Sequence, residues 1–428
     1  MVNRRALTGL LTAEAISITG SRMSLVALPW LVLGATGSPI LTGVVAAIET
    51  TPYVASGVLG APLIDRIGAR RASIIADALS FMAMGAIPFL YHLGISVLAP
   101  LVFLVGAFRG ISDLSKKVLL PMAVEQTAMQ LSRATALYDG ISRFSALAGG
   151  PAAGALIAWL DAPAVILVDA VSFALCAAVV AGTVRSRRPS GQTDTPTAGA
   201  PAATNGEARE GYVVALRRGL QYLRQDRLIL SVVIMMFAIN LFDNAALSVY
   251  IPMWAKGTVG SPIALGLCSG AFALGAMVGN VGIIALAERV PRYATLTVGL
   301  LVGGAPRFLS LGLSDSVVFV VVIMFAAGIG FAAINPVIAV VMYERIPVQL
   351  QARVFGVATA AAFAGMPLGS LLGGLSVQST GFTTSLVLTG VLCFAATLTP
   401  VLARRTWRQM NIVPQPTAVS SRPAVPDT

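Results

Sequence analysis

The residues that could do chemistry in this sequence are charged side chains inside long apolar runs. They are Glu14, Arg22, Glu49, Asp77, Arg109, Asp113, Asp169, Asp243 and Arg307. A charged group at the centre of a bilayer is unfavourable by at least about 2.5 kcal/mol unless it is paired or hydrated. A desolvated carboxylate can also bind a proton in one state of a protein and release it in another. These positions therefore predict proton binding and ion pairing in an apolar environment.

Glu14, Glu49 and Asp243 are the candidates for proton coupling, because they lie deepest in the apolar runs. The alternative is that these carboxylates form structural salt bridges. Glu14 could pair with Arg22, two turns along the same segment, and Glu49 could pair with an arginine of a neighbouring segment.

The candidates for lining a cavity or forming charge pairs are Arg22, Arg109, Asp113 and Arg307. Arg109 and Asp113 are four residues apart, so they share a helical face and can neutralise each other. Asp113 also lies close to Lys116 and Lys117, and we assign it to a charged network at the inner membrane face.

The motif D-A-x-S-F occurs twice, with Asp77 in the third apolar run and Asp169 in the sixth. Because the two runs cross in opposite directions, the aspartates lie at mirrored depths, as an inverted three-plus-three repeat would place them. We expect both to hydrogen-bond to adjacent helices or to pair with arginines such as Arg143.

The elements that carry these residues are membrane-spanning helices. Hydrophobic residues make up 56% of the 428 residues and charged residues 11%, against roughly a quarter charged in soluble domains. Runs of about 20 apolar residues, long enough to cross a bilayer, predict twelve spans. The predicted spans are 7–33, 39–63, 72–91, 95–115, 141–160, 163–183, 229–254, 262–286, 293–312, 316–341, 354–376 and 382–403.

The net charge of +11 reflects membrane topology, because Arg and Lys concentrate in every second gap between spans. Lys256 is the exception. This positive-inside pattern places both termini in the cytoplasm and excludes a nucleic-acid partner as its explanation. It predicts a multi-pass protein of the plasma membrane, most simply a bacterial inner membrane.

Six spans precede a polar, Pro- and Thr-rich stretch and six follow it. We predict an N-terminal bundle over 1–184, a cytoplasmic linker with an amphipathic helix over 185–228, a C-terminal bundle over 229–405, and a disordered cytoplasmic tail over 406–428. The predicted fold class is an all-α membrane protein of two six-helix bundles. Parallel repeats of this kind are typical of transporters with a site between the halves.

The stretch "APLIDRIGARR", Ala61 to Arg71, resembles the loop motif between spans 2 and 3 of the major facilitator superfamily. Asp65, Arg66 and Gly68 match that motif, Arg70 and Arg71 match with a displacement of one residue, and Ala61 replaces its first glycine. "FRGISD" resembles the span-4 arginine motif of the family. "GGPAAG" resembles the span-5 motif of its antiporters, with matches at Gly150, Pro151 and Gly154.

"MSLVALPWLVLGATGSP", "LSRATALYDGISR" and "ARVFGVATAAAFAGMPLG" look similar to the macrolide-efflux-like branch of drug:proton antiporters. The resemblance implies efflux of amphiphilic drug-like or natural-product compounds, driven by protons through alternating access. It also implies that the spans of Glu14, Glu49 and Asp243 border a central cavity. The alternatives are a proton symporter, a dedicated metabolite or siderophore exporter, or a membrane receptor or scaffold without transport.

The loop motif, by this resemblance, can act as a latch. Asp65 can accept from backbone donors at a helix N-terminus, while the arginines can bridge to carboxylates or lipid phosphates. Such contacts would hold an outward-facing state, and the alternative is that the basic residues only fix topology.

An enzyme or an ATP-driven pump is not expected. A phosphate-binding loop needs Gly-Lys followed by Ser or Thr, and Lys116, Lys117 and Lys256 lie in no such motif. With His92 as the only histidine, we expect neither a metal nor a cofactor. The expected partners are a small amphiphilic substrate, protons and membrane lipids, and the expected state is a monomer.

Overall fold

The computed structural model describes residues 5–125, 127, 129–184, 212–286 and 290–412, and over these residues it is built from helices. The predicted linker as far as residue 211, and the tail beyond residue 412, lie outside the described residues. Ten helical stretches are long and apolar enough to cross a membrane, and a bent pair, Pro39–Gly57 with Ala61–Ile67, forms another.

Spans 1 to 4 are Arg5–Thr36, Pro39–Leu59 extended by Ala61–Ile67, Ala69–Leu90, and Ile95–Val124. The next helix, Leu131–Thr183, has 53 residues and would be about 80 Å long if it were straight, far more than the roughly 30 Å of hydrocarbon. It breaks at Asp161, whose φ of 69° is not helical. The two parts are spans 5 and 6, which brings the number of crossings in the described chain to twelve.

Span 7 starts with Arg227–Ala245 and continues through wide helical turns to Val259. Span 8 is Pro262–Leu286 and span 12 is Phe382–Leu402. Three spans consist of two consecutive helices each: Arg292–Gly303 and Ala305–Leu313 (span 9), Val317–Ala332 and Ile334–Arg345 (span 10), and Val348–Phe363 and Gly365–Thr380 (span 11). The predicted spans are confirmed, with ends that differ most at spans 4, 5 and 11.

The two ends of the bundle differ in charge. We call the end that carries Arg66 and Arg404 the basic face. The opposite end, with the tight loops at Gly94 and Gly381, is the neutral face. Both glycines have positive φ, 98° and 82°, which L side chains rarely adopt.

Packing divides the spans into two bundles. In the first, span 1 packs along spans 5 and 6, span 3 packs on spans 4 and 6, and span 2 packs on span 4. In the second, span 8 packs on span 10, span 9 on spans 10 and 12, and span 7 on span 11. The main contacts between the bundles join span 2 to span 11 and span 5 to span 8.

The helix Tyr212–Gln225 corresponds to the amphipathic helix that the sequence predicts in the linker, and it packs against the basic end of span 11. Gly219 permits the approach, because a Cβ there would lie 2.8 Å from the carbonyl oxygen of Arg353. Tyr222 donates to the carbonyl of Arg345 at 3.0 Å. Asp226 then caps span 7 and pairs with the Arg345 guanidinium at 2.6 Å. This helix is therefore packed on protein.

Residues 404–411 form helical turns, which corrects the prediction of disorder from residue 406 for this part of the chain. Trp407 and Met410 are buried, with 1% and 2% of their surface exposed. Gln409 accepts from Arg345 at 2.9 Å. The polar composition of this segment favours disorder, but burial of the single Trp407 ring provides enough apolar contact to hold it against the bundle.

Candidate functional site

A cavity of about 380 Å³ lies between the two bundles, within the size range of sites for small molecules. It is bordered by spans 1 and 5 of the first bundle and by spans 7 to 10 of the second. A second compartment of about 280 Å³ adjoins it nearer the basic face. The two compartments share Arg143, Asp243, Phe272 and Ala276. The arrangement places a largely apolar chamber with a few charged groups at the middle of the molecule.

The cavity is closed toward the neutral face by close packing of small residues in spans 5 and 8. A Cβ on Gly154 would lie 2.6 Å from the Pro262 carbonyl oxygen and 3.0 Å from the Cα of Gly266. A Cβ on Gly150 would lie 2.7 Å from the Cβ of Ser269. The span-5 motif predicted from the sequence is therefore part of the contact between the bundles, and Gly150 also borders the cavity.

Spans 2 and 11 form the matching contact on the other side. A Cβ on Gly374 would lie 2.7 Å from the Pro39 carbonyl oxygen, and one on Gly43 would overlap the carbonyl of Ser370. Nearby, the Lys256 ammonium lies 5.2 Å from the centroid of the Trp30 ring, which joins span 7 to span 1 by a cation–π contact.

The same helices are open in the half nearer the basic face. Gly57 on span 2, Gly140 on span 5 and Gly356 on span 11 are exposed, and a Cβ on any of them would meet nothing within 4 Å. The close contacts between the bundles therefore lie in the half nearer the neutral face, and these glycines of the basic half make none.

Asp243 and Arg307 form an ion pair on the wall of the cavity, joining span 7 to span 9. The Arg307 guanidinium also lies 4.8 Å from the ring centroids of Phe308 and of Phe331. Its side chain is 5% exposed, whereas that of Asp243 is 36% exposed and so reaches the cavity. The sequence predicts Asp243 as a candidate for proton coupling and Arg307 as a candidate for lining a cavity or forming a charge pair. Only the fold shows that the two lie together.

Arg109 pairs with Glu49 of span 2, with 3.4 Å between Nη1 and Oε1. This corrects the predicted neutralisation of Arg109 by Asp113. The Asp113 carboxylate instead accepts from the Tyr53 hydroxyl at 3.2 Å, and the Arg109 guanidinium lies 5.2 Å from the centre of that tyrosine ring. Spans 2 and 4 pack side by side, so a residue on the facing helix is a better partner than the next turn of the same helix.

Glu14 lies inside the first bundle, 1% exposed, and faces Lys116 at 4.0 Å. The alternative that Glu14 pairs with Arg22 is wrong. Glu14 also does not border either compartment of the cavity. Lys116 is fully buried and also lies 3.6 Å from Asp77 and 3.0 Å from the Ser17 hydroxyl. From the sequence this lysine is expected at the inner membrane face, because predicted span 4 ends at residue 115, whereas the helix continues to Val124 and Lys116 lies inside the bundle.

Asp77 and Asp169 are held by serines in equivalent ways. Asp77 on span 3 accepts from Ser112 on span 4, and Asp169 on span 6 accepts from Ser24 on span 1, both at 2.5 Å. Ser172 adds a second donor to Asp169 at 3.0 Å. The inverted repeat predicted from the sequence would relate span 3 to span 6 and span 4 to span 1, and the two contacts are the counterparts that it predicts.

The loop motif is only partly engaged. Within the described chain, Asp65 and Arg66 are exposed and make no hydrogen bond or ion pair, and Gly68 and Arg71 are exposed as well. Arg70 is the exception, because it donates to the carbonyls of Ala181 and Val184 at the end of span 6. A basic side chain at the C-terminal end of a helix satisfies carbonyls that lack helical partners.

Arg22 borders the cavity from span 1 and Arg143 from span 5. The two helices are joined close to these residues, because Thr19 donates to the Ser145 hydroxyl at 3.0 Å. A Cβ on Gly149 would lie 2.6 Å from the Cβ of Arg22, so span 5 offers no side chain there to cover the arginine.

Comparison with known proteins gives a consistent result. Residues 10–256 and 233–424 match the model of a family described as the Major Facilitator Superfamily. The multidrug efflux pump Tap of Mycobacterium tuberculosis is 27% identical over 427 residues, covering 95% of each chain. Tap of Mycolicibacterium fortuitum is 24% identical over 384 residues, covering 87% of this chain and 89% of its own. Among solved structures, the nucleoside transporter NupG superposes with a TM-score of 0.75 at 10% identity, over 94% of this chain and 99% of its own.

Proposed function

Because this chain belongs to the Major Facilitator Superfamily, we propose that it is a secondary active transporter that exports amphiphilic drug-like or natural-product compounds by proton antiport. The observation that carries the proposal is the central cavity between the bundles, which has an apolar wall and an ion pair, Asp243 with Arg307, on its surface. Similarity to the Tap efflux pumps supports export of drug-like compounds.

The orientation we propose places the basic face and both termini in the cytoplasm, with the protein in a plasma membrane, because Arg and Lys concentrate on that face. The structure then corresponds to an inward-facing state that takes substrate from the cytoplasm or the inner leaflet. Rocking of the bundles would open the contacts between spans 5 and 8 and between spans 2 and 11, and would expose the cavity to the outside.

Proton coupling is assigned first to Asp243. Its carboxylate reaches the cavity, and its partner Arg307 belongs to another helix of the same bundle. Protonation of Asp243 removes the negative charge and so weakens the pair, which changes the charge that the cavity presents to a substrate. The Glu49–Arg109 pair is the second candidate. Glu14 can act only indirectly, through Lys116, because it lies away from the cavity wall.

The test is transport by the purified protein in liposomes with an imposed pH gradient, using a lumenal pH dye and a panel of lipophilic cations, lipophilic acids, macrolides and siderophores. We expect some of these compounds to dissipate the gradient as they move against the proton flow. Movement in the same direction as protons would identify a symporter, and the absence of proton-coupled flux with every compound would refute the proposal.

Asp243→Asn should abolish proton coupling, because the amide cannot exchange a proton while it retains the shape of the side chain. Asp315→Asn is the matched control, since Asp315 is an exposed aspartate near the neutral face. Both variants should elute as monodisperse protein from size-exclusion chromatography. Undiminished proton-driven transport by Asp243→Asn would move the coupling role to another carboxylate.

A further inference from the structure

Two arginines on the cavity wall lack partners in the described part of the chain. Arg22 lies near the middle of span 1, and Arg143 borders both compartments of the cavity. Neither guanidinium has a hydrogen-bond acceptor or an ion-pairing carboxylate among the described residues. A charged group at this depth in a membrane is unfavourable unless it is hydrated or meets a counter-ion, and such groups usually mark the path of a substrate.

The carboxylates around these arginines are engaged elsewhere. Asp243 borders the cavity and pairs with Arg307. Glu49 pairs with Arg109. Asp113 accepts from Tyr53 and attracts Arg22 electrostatically, but it forms no ion pair with Arg22, so the guanidinium has no carboxylate in direct contact among the described residues.

Asp139, one helical turn before Arg143, is the nearest acidic residue on span 5. It is exposed, does not border either compartment, and forms no ion pair within the described chain. Among the described residues that border the two compartments, Asp243 is therefore the single carboxylate. The same walls carry three guanidiniums, those of Arg22, Arg143 and Arg307.

The rest of the wall is suited to an apolar body. Leu25 of span 1, Phe272 and Met277 of span 8, and Met324 of span 10 all border the larger compartment. An aromatic ring and flexible methionine side chains can accommodate bodies of different shapes. The chamber thus combines an adaptable apolar surface with two guanidiniums that are free to bind an anion.

From this arrangement we infer that the preferred substrates are amphiphilic organic anions, whose carboxylate or sulfonate is bound by Arg22 and Arg143. The inference rests on the proposed transport function and specifies its substrate class. A planar guanidinium can donate two parallel hydrogen bonds to a carboxylate. A lipophilic cation would meet an excess of positive charge, and the carboxylate that could attract it, Asp243, is already paired.

The test compares two probes that share an aromatic body and differ in charge, pyrenebutyrate and pyrenebutyltrimethylammonium. Binding to the purified full-length protein in uncharged detergent is measured by quenching of tryptophan fluorescence. We expect the anion to bind at least about tenfold more tightly than the cation, because one hydrogen bond to a charged group changes a binding affinity by about tenfold or more. Arg22→Gln and Arg143→Gln should each remove most of this preference, and Arg143→Lys should keep part of it.

Arg133→Gln is the matched control, because Arg133 is an exposed arginine of span 5 outside the cavity wall. It should leave the affinities for both probes unchanged. Equal affinity for the two probes, tighter binding of the cation, or no binding of the anion would overturn the inference. So would an equal loss of both affinities in the glutamine variants. Because binding is measured without a pH gradient, failure of proton-coupled transport would leave this result standing and count only against the proposed mechanism.

Discussion

At the scale of single residues, buried charge in the first bundle is organised around Lys116. Its ammonium lies 3.6 Å from Asp77 and 4.0 Å from Glu14, and all three side chains are almost completely buried. Removing one partner of a buried ion pair usually lowers the free energy of unfolding by about 3–5 kcal/mol, because the remaining charge stays buried without a partner. The cluster therefore ties spans 1, 3 and 4 together, and it explains why ionisable groups persist in apolar helices of the first bundle.

The serine of the D-A-x-S-F motif is hydrogen-bonded in the second copy and, among the described residues, not in the first, which gives a prediction at this scale. Ser172 donates to Asp169 at 3.0 Å, whereas the hydroxyl of Ser80, at the same motif position, is buried and has no partner within the described chain. Ser172→Ala should therefore lower the free energy of unfolding by about 1.5–3 kcal/mol, the usual value for a hydrogen bond to a charged group.

Ser80→Ala is the control and should leave stability unchanged or slightly raised, since it removes a buried hydroxyl without a partner. The difference in stability is measured by thermal unfolding of the detergent-purified variants. Unfolding is monitored by the reaction of the buried cysteines with a fluorescent maleimide. Equal destabilisation by the two substitutions would show that the hydrogen bond to Asp169 is not what distinguishes the motifs.

At the scale of elements, small residues decide how closely the bundles approach at the neutral face. Spans 5 and 8 touch through Gly154 and Gly266, and spans 2 and 11 touch through Gly43 and Gly374. Without a hydrophobic driving force in lipid, helices associate where small residues let their backbones approach. These contacts are also the ones that alternating access must open.

Gly154→Leu should shift the protein toward a state that is open at the neutral face. The new side chain would overlap the Pro262 carbonyl and the Gly266 backbone, and overpacking of this kind typically costs about 1–3 kcal/mol. We expect the closed fraction to fall about tenfold or more, and spin-label distances between the neutral-face loops at Gly37 and Gly260 should lengthen.

Gly140→Leu is the matched control on the same span, because a Cβ at Gly140 meets nothing within 4 Å. It should leave the distance distribution unchanged. An unchanged distribution in Gly154→Leu as well would mean that the contact between spans 5 and 8 does not control closure.

At the scale of the whole molecule, the latch predicted for the loop motif would belong to the state opposite to the one in which the neutral-face contacts form. The neutral face is closed here, and in this state Asp65 and Arg66 make no contact within the described residues. This is what a latch for the outward-facing state requires, because its contacts should form only when the bundles meet at the basic face.

Asp65→Asn should consequently reduce transport without reducing the stability of the inward-facing protein. The carboxylate is exposed and makes no contact in this state, so its loss removes no interaction here. Transport in liposomes and thermal unfolding in detergent should be compared with Asp315→Asn at matched expression. Wild-type transport by Asp65→Asn would eliminate the latch and leave the arginines as topology signals only.

The number of spans, their order and the charge difference between the two faces follow from the amino-acid sequence alone. These properties depend on local hydrophobicity and on the distribution of Arg and Lys along the chain, so each can be predicted without knowing what packs against what. The break at Asp161 falls between predicted spans 5 and 6 for the same reason. The family motifs could also be identified, because each is a short contiguous stretch.

Which charges meet depends on how the helices pack in three dimensions. Arg109 pairs with Glu49 and not with Asp113, and Glu14 faces Lys116 and not Arg22. Partners on different helices depend on helix rotation and on packing in the membrane, which small residues at the contacts determine. That same packing places Arg22 on the wall of the cavity, and so it sets the charge that a substrate would meet there.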